Sequence, residues 1–276
     1  MDNILSIKGI SKSFGGRKVL DDLTFEVPRN SVYGFVGKNG AGKTTTMKLI
    51  LGLYQPDKGE IYINDKKVSF GQNETNKYIG YLPDVPEFYG YMKPTEYLKL
   101  CAEITDIPKN EVDSRIKEML TLVGLDKDNK RIKGFSRGMK QRLGIAQALL
   151  SKPELLICDE PTSALDPMGR KEILDILKSA SKETTVIFST HILTDVERIC
   201  DNVGILHEGK LAWQGTMEQV GAMSSNKSFQ VEFDSNEDMK RAIEAIKSQN
   251  INISNLEMKD SNLENLFMEV IGHETA

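Results

Sequence analysis

The sequence predicts an α/β protein: a parallel sheet carrying a phosphate-binding loop, with an amino-terminal antiparallel β subdomain, an inserted helical subdomain and a small carboxy-terminal β-α-β-α unit. Three observations predict it. A short apolar strand runs into the glycine-rich "GKNGAGKT" and then into helical spacing. Two more apolar runs, "LLICD" and "TTVIFST", alternate with amphipathic helices. That order builds a parallel sheet covered on both faces. Composition then shifts at "AMSSNKS", residues 222–228, which divides the chain into domains expected at 1–222 and 226–276.

The elements follow in order. "ILSIKGISKSFGGRKVLDDLTFEV" alternates and ends in turns, as antiparallel strands do. "SVYGFVG", residues 31–37, is a buried strand, and after Lys43 the residues Met47, Ile50 and Leu51 fall at helical spacing. "GEIYINDKKV" is a hairpin with Asn64-Asp65 as its turn. Helices are expected from Pro94 to about Leu125 and again from Ser136, so that residues 92–150 form the inserted subdomain. "PELLICDEP" is the next buried strand. Residues 168–181 form a helix with Ile173, Ile176, Leu177 and Ala180 on one face. "TTVIFSTH" is another strand, followed by a helix with Leu193, Val196 and Cys200 inward. The tail reads as "FQVEF", a helix from about Asn236 to Ser248, "INISNLEMK", and a last helix from Ser261, which has capping-box spacing to Glu264.

Composition narrows the function classes. Apolar residues make up 39% and charged residues 28% of 276 residues, which fits a globular protein with a sizeable core. A net charge of -4 offers no basic field for nucleic acid. The three cysteines are odd in number and far apart, which argues against a disulfide framework and fits a reducing cytoplasm. "MDNILSIKGI" has no basic region followed by a long apolar core, so no signal peptide is expected. No apolar run approaches the about 18–20 residues that span a bilayer.

"GKNGAGKT", comprising Gly37, Lys38, Asn39, Gly40, Ala41, Gly42, Lys43 and Thr44, matches G-x-x-x-x-G-K-[ST] between a strand and a helix, with Thr45 next in the helix. Glycines let the backbone wrap a polyphosphate with its N–H groups inward. Lys43 reaches the β and γ phosphates, and the Thr44 hydroxyl can ligate Mg²⁺. A second signal is the pair of carboxylates closing "LLICDE". Asp159 is placed to hold Mg²⁺ and Glu160 to act as general base toward water. The competing reading of that pair is a solvated acidic turn. Cys158 is expected only to pack in the sheet. A third signal is "FSRGMKQR", whose Ser136 opens a helix and leaves free N–H groups suited to an anion.

Taken together, the phosphate loop, "SRGMKQR", "LLICDEP", "SALD" and "STH", in that order, resemble the nucleotide-binding subunits of ATP-binding cassette transporters over residues 3–220. The resemblance implies a P-loop NTPase (RecA-like) core, Mg²⁺ and ATP as cofactors, and ATP hydrolysis. It also implies a second nucleotide-binding subunit, head to tail, in which Ser136 and Gly138 of one copy close over the γ phosphate held by the other. ATP bridging two faces favours closure, and hydrolysis removes the bridge. Further positions come from the resemblance residue by residue. His191 is similar to the switch histidine that contacts the γ phosphate and orients the water. Asp166 is similar to a loop residue linking the subunits, or serves as the N-cap of the helix at Pro167. Phe14 is similar to the aromatic that stacks on adenine, or is a hairpin aromatic.

Two positions depart from the family pattern. Its Leu-Ser-Gly-Gly-Gln is Phe135-Ser136-Arg137-Gly138-Met139 here, which adds a positive charge and loses an amide. Its glutamine after "IGYLP" is Asp84, carried over as a third candidate metal ligand with an altered charge. These variants and the short tail resemble exporters of small antibiotics, peptides and lipids. In those, a separate permease chain supplies the membrane helices and Pro94–Leu125 would help receive its cytoplasmic helix. The subunit would then be cytoplasmic and peripheral on the inner face of the membrane. The alternative is a soluble ATPase of an assembly complex, such as iron–sulfur cluster assembly. A GTP switch is disfavoured because no Asn-Lys-x-Asp occurs, and paired cassettes in one chain because there is one phosphate loop.

Overall fold

The computed structural model of the chain describes residues 2–71, 74–105, 107–223 and 235–248. Strands β1 (Asn3–Phe14) and β2 (Arg17–Pro28) form an antiparallel pair, and β4 (Lys58–Ile63) and β5 (Lys66–Lys67) join them in a sheet of order β2-β1-β4-β5. Asn64 and Asp65 form the β4–β5 turn with φ of 51° and 59°, the left-handed pair that a two-residue hairpin requires.

The larger sheet has the order β10-β9-β3-β8-β7-β6. Its members are β3 (Val32–Val36), β6 (Ile79–Leu82), β7 (Leu155–Asp159), β8 (Thr185–Thr190), β9 (Asn202–His207) and β10 (Lys210–Thr216). All neighbours run parallel except β9 and β10, which form an antiparallel hairpin at the edge. This corrects the all-parallel expectation: the β9–β10 hairpin was not read from the sequence, and Glu208-Gly209 turn it with φ of 44° and 80°.

Helix α1 (Lys43–Ile50) follows β3. Helices α2 (Pro94–Ile104), α3 (Val112–Leu122) and α4 (Arg137–Leu149) fall between β6 and β7. Then come α5 (Pro167–Ala180), α6 (Leu193–Ile199), α7 (Met217–Met223) and α8 (Asn236–Ser248). The expected "FQVEF" and "INISNLEMK" segments and the helix at Ser261 lie outside the described residues. Among the described residues no helix is long and apolar enough to cross a membrane.

The period of two along each central strand divides the interior into two cores. Tyr33, Phe35, Leu155, Ile157 and Ile187 point to one core, shared with α1 and the antiparallel sheet. Val32, Val36, Leu156, Cys158, Val186 and Phe188 point to the other, shared with α2–α6. Buried on both faces, β3, β7 and β8 are mostly apolar, and β7 and β8 turn polar at their carboxyl ends, at Asp159 and at Ser189-Thr190. Gly34 completes the second face: a Cβ there would lie 2.7 Å from Val196, so only glycine lets α6 pack this closely.

Candidate active site

The carboxyl ends of β3, β7 and β8 lie side by side and carry the phosphate loop, the two carboxylates and the histidine. Beyond Val36, the Gly37 N–H donates to the Thr190 carbonyl at 3.3 Å, tying the loop to β8. Ala41 N–H donates to the Lys38 carbonyl at 3.1 Å. Gly42 stands as N-cap of α1 with φ 113°, and a Cβ on it would meet Leu20 at 2.6 Å. Lys38, Asn39 and Gly40 are exposed, as is Thr44, while Thr45 is half-buried. Lys43 is buried, and its Nζ crosses the loop to donate to the Gly37 carbonyl at 2.7 Å.

Asp159 ends β7, buried, and its Oδ1 accepts from Ser189 Oγ at 2.5 Å. Glu160 does not continue the strand. Its φ is 47°, left-handed and uncommon for a residue with a Cβ. The turn, not the strand's alternation, therefore sets its direction. Two bonds hold that turn: Glu160 N–H lies 3.1 Å from both the carbonyl and the Oγ of Ser189. Glu160 Oε1 then lies 3.1 Å from Lys43 Nζ, and Oε2 lies 2.9 Å from His191 Nδ1. Oε1 is buried and makes its ion pair without a well-directed hydrogen bond. The arrangement joins a cation and an imidazole to the two oxygens of one carboxylate.

The remaining candidates are not joined to that arrangement. Ser136 is the N-cap of α4, its hydroxyl accepting from Met139 N–H at 3.2 Å. Gly138 lies beside Leu165 of its own chain, and among the described residues no hydrogen bond links Ser136 or Gly138 to residues 37–45. Asp166 caps α5, its Oδ1 accepting from Gly169 N–H at 2.7 Å. Phe14 is 42% exposed, edge-to-face with Tyr54 at 5.2 Å and with Lys12 Nζ 5.3 Å from its ring. Asp84 pairs with Arg137 at 3.6 Å, and Gln141 Nε2 donates to the Asp84 carbonyl at 2.8 Å. A cavity of about 470 Å³ opens here between residues 84–90 and 132–140.

Among the described residues no cluster of three or more His, Cys, Asp or Glu side chains could hold a metal alone. Thr44 and Asp159 supply two hard oxygen donors, the kind of partial set that binds Mg²⁺ when phosphates complete it. Burial pushes the Cys158 and Cys200 thiols well above their usual range, so neither is a nucleophile at neutral pH.

Residues 20–163 match the family described as ABC transporter. The chain is 41% identical to the uncharacterized ABC transporter ATP-binding protein YxlF of Bacillus subtilis over 228 residues, 82% of this chain and 75% of the relative. This chain is an ATP-binding subunit of the ABC transporter family. The bacitracin transport ATP-binding protein BcrA of Bacillus licheniformis is 44% identical to the ABC subunit over 214 residues, 76% of this chain and 69% of that one. A solved ATP-binding subunit of an ABC transporter superposes with a TM-score of 0.74 at 29% identity, covering 97% of this chain and 99% of its own. CbiO1 from Clostridium perfringens, part of the ABC transporter complex cbiONQ, gives 0.74 at 27% identity, covering 90% and 96%. The ABC subunit is therefore an ATPase with a P-loop core, and subunits of this family work with a transmembrane permease, typically as dimers. These relatives are transporter subunits, which favours that reading over a soluble assembly factor.

Sequence reasoning missed Ser189, which bonds both Asp159 and the Glu160 backbone, although it stands two residues before His191 in a quoted motif. It also missed the Asp84–Arg137 pair, visible in sequence only as two separate departures.

Proposed function

We propose that the ABC subunit hydrolyses Mg²⁺–ATP between two copies of itself and so powers export of a small molecule, peptide or lipid through a separate permease. Residues 1–222 form the ATPase domain, with 92–150 as its helical subdomain, and 226–276 an accessory domain. The subunit sits peripherally on the inner face of the membrane. The observation that carries the reading is the carboxylate of Glu160, engaged by Lys43 at 3.1 Å and by His191 at 2.9 Å.

In this scheme residues 37–45 wrap the phosphates, Lys43 neutralises their charge and Phe14 stacks on adenine. Thr44 and Asp159 would hold Mg²⁺, which supplies charge neutralisation at the phosphates when bound, and Asp84 is a weaker candidate because Arg137 already engages it. Glu160 Oε1 takes the proton of the attacking water, and His191 holds that water and the γ phosphate in line. Ser136 and Gly138 of the second copy close over the γ phosphate with the helix N–H groups, and Asp166 meets that copy across the interface. Residues 94–125, with the cavity beside Asp84, receive the permease's cytoplasmic helix. The bacitracin transport proteins of Bacillus licheniformis and Enterococcus faecalis, 44% and 34% identical, support an antibiotic-like cargo.

Glu160→Gln should keep ATP binding, stop turnover and trap a closed dimer, while Lys43→Ala should weaken binding itself. Hydrolysis at the parent rate by Glu160→Gln would overturn the base assignment. In mixed dimers, Ser136→Ala should impair the ATP held by the other copy. Recovery of a membrane chain with the tagged subunit supports the transporter scheme, and recovery only of soluble partners counts against it.

A further inference from the structure

We propose that Asp195 is a positioning residue for ATP turnover: its buried carboxylate ties the turn after Glu160 to the helix after His191 and so fixes how those two side chains meet. The inference rests on the roles given above to Glu160 and His191.

Asp195 lies in the first turn of α6, four residues after His191, and is 2% exposed. Thr162 lies two residues after Glu160 and is fully buried. The Thr162 hydroxyl donates to Asp195 Oδ2 at 2.6 Å. The two segments are thus joined twice, once at the Glu160–His191 contact and once in the interior behind it.

The turn has reason to need the second tie. Glu160 and Ala164 both have left-handed φ, 47° and 53°, though neither is glycine. Such residues persist only where their surroundings over-determine them. Thr162 sits midway between them, and its side chain is anchored from outside the turn.

Packing alone does not explain the carboxylate. The other buried residues of α6, Val196 and Ile199, are apolar, and an apolar side chain at 195 would avoid the cost of desolvating a charge. Burial raises the pKa of Asp195, and the hydrogen bond from Thr162, Arg170 of α5, Arg198 of α6 and His191, all favouring the ionised form, only partly offset it, so the carboxylate is kept against an energetic penalty. A penalty borne four residues after His191, on a carboxylate whose partner Thr162 stands two residues after Glu160, points to a role in holding the two.

The test is a double-mutant cycle on ATP hydrolysis by the purified full-length subunit. Thr162→Val replaces the hydroxyl with a methyl of similar size and so removes the bond to Asp195. It should lower kcat about tenfold while changing KM for ATP less than about twofold, since the phosphate loop is untouched. Thr162→Ser should restore turnover. In a His191→Ala background Thr162→Val should cost no more than about a further twofold, because the tie acts through the pair it aligns. From the other side, Asp195→Asn keeps an acceptor oxygen and should retain turnover that Asp195→Ala loses. Should Asp195→Ala unfold, the Thr162 cycle decides. Parental kcat in Thr162→Val, or losses that multiply fully in the His191→Ala background, overturns the inference. A dead Glu160→Gln beside a fully active Thr162→Val removes this inference alone, whereas an active Glu160→Gln removes the reading beneath it.

Discussion

Ser189→Ala is the most informative single change. One hydroxyl does two things here: it donates to Asp159 Oδ1 at 2.5 Å and accepts from Glu160 N–H at 3.1 Å. Both groups sit where water does not reach, since Ser189 is fully buried and Asp159 is 3% exposed. The bond to Asp159 is charge-assisted and worth about 1.5–3 kcal/mol. The bond from Glu160 N–H adds little, because that N–H keeps the Ser189 carbonyl at 3.1 Å. Removing one oxygen leaves a void too small to add a large cavity cost. A destabilisation of about 2–3 kcal/mol follows, and if about 2 kcal/mol of it is felt in the transition state, kcat falls about 30-fold. Nucleotide affinity should hold, because Lys43 and the loop glycines are bonded elsewhere. Steady-state hydrolysis, equilibrium ATP binding and thermal melting separate these effects. If Ser189→Ala melts a few degrees lower yet hydrolyses ATP at the parent rate, the hydroxyl does not aim the two carboxylates and the geometric argument fails.

Three further outcomes are expected. Phe188→Ala, at a fully buried site of β8, should destabilise by about 3–5 kcal/mol in denaturant titrations; a loss under about 1 kcal/mol would mean that this core is not packed as described. Phe14→Ala should raise KM for ATP about fivefold with kcat unchanged, from about 1 kcal/mol of lost stacking, and Phe14→Tyr should not; an unchanged KM in the alanine variant removes Phe14 from the nucleotide site. Asp195 has a folded pKa raised above its unfolded value, chiefly by burial. An acid shifted in that direction contributes stability below its unfolded pKa of about 3.9 and loses it as pH rises through the folded value. The melting temperature of Asp195→Asn minus that of the parent should therefore be larger near about pH 7 than near about pH 4, and a constant difference would mean that the carboxylate does not titrate differently on folding.

Much of the nucleotide machinery was legible because its chemistry is local. A strand, a glycine-rich turn and a helix must follow one another to make a phosphate loop, so Gly37–Thr44 declared its own context. The Asn64-Asp65 turn and the Ser136 cap were equally local. What stayed hidden depended on partners distant in sequence. Ser189 reads as one more small residue until β7 and β8 are paired. Asp195 reads as a surface acid on an amphipathic helix, and only its burial against Thr162 shows otherwise. The β9–β10 hairpin escaped because Glu208-Gly209 is a weaker turn signal than Asn-Gly and no motif marked its strands. Glu160 was found, but its orientation was not, because it is set by a left-handed turn that begins one residue after the strand ends.

The left-handed backbone at Glu160 has an evolutionary consequence. Glycine would adopt that conformation without the Cβ strain that glutamate bears there, a relief of about 1 kcal/mol. Breeding this chain for heat resistance alone would thus push toward erasing the carboxylate proposed as its general base, so selection for endurance and selection for throughput would pull in opposite directions at a single codon.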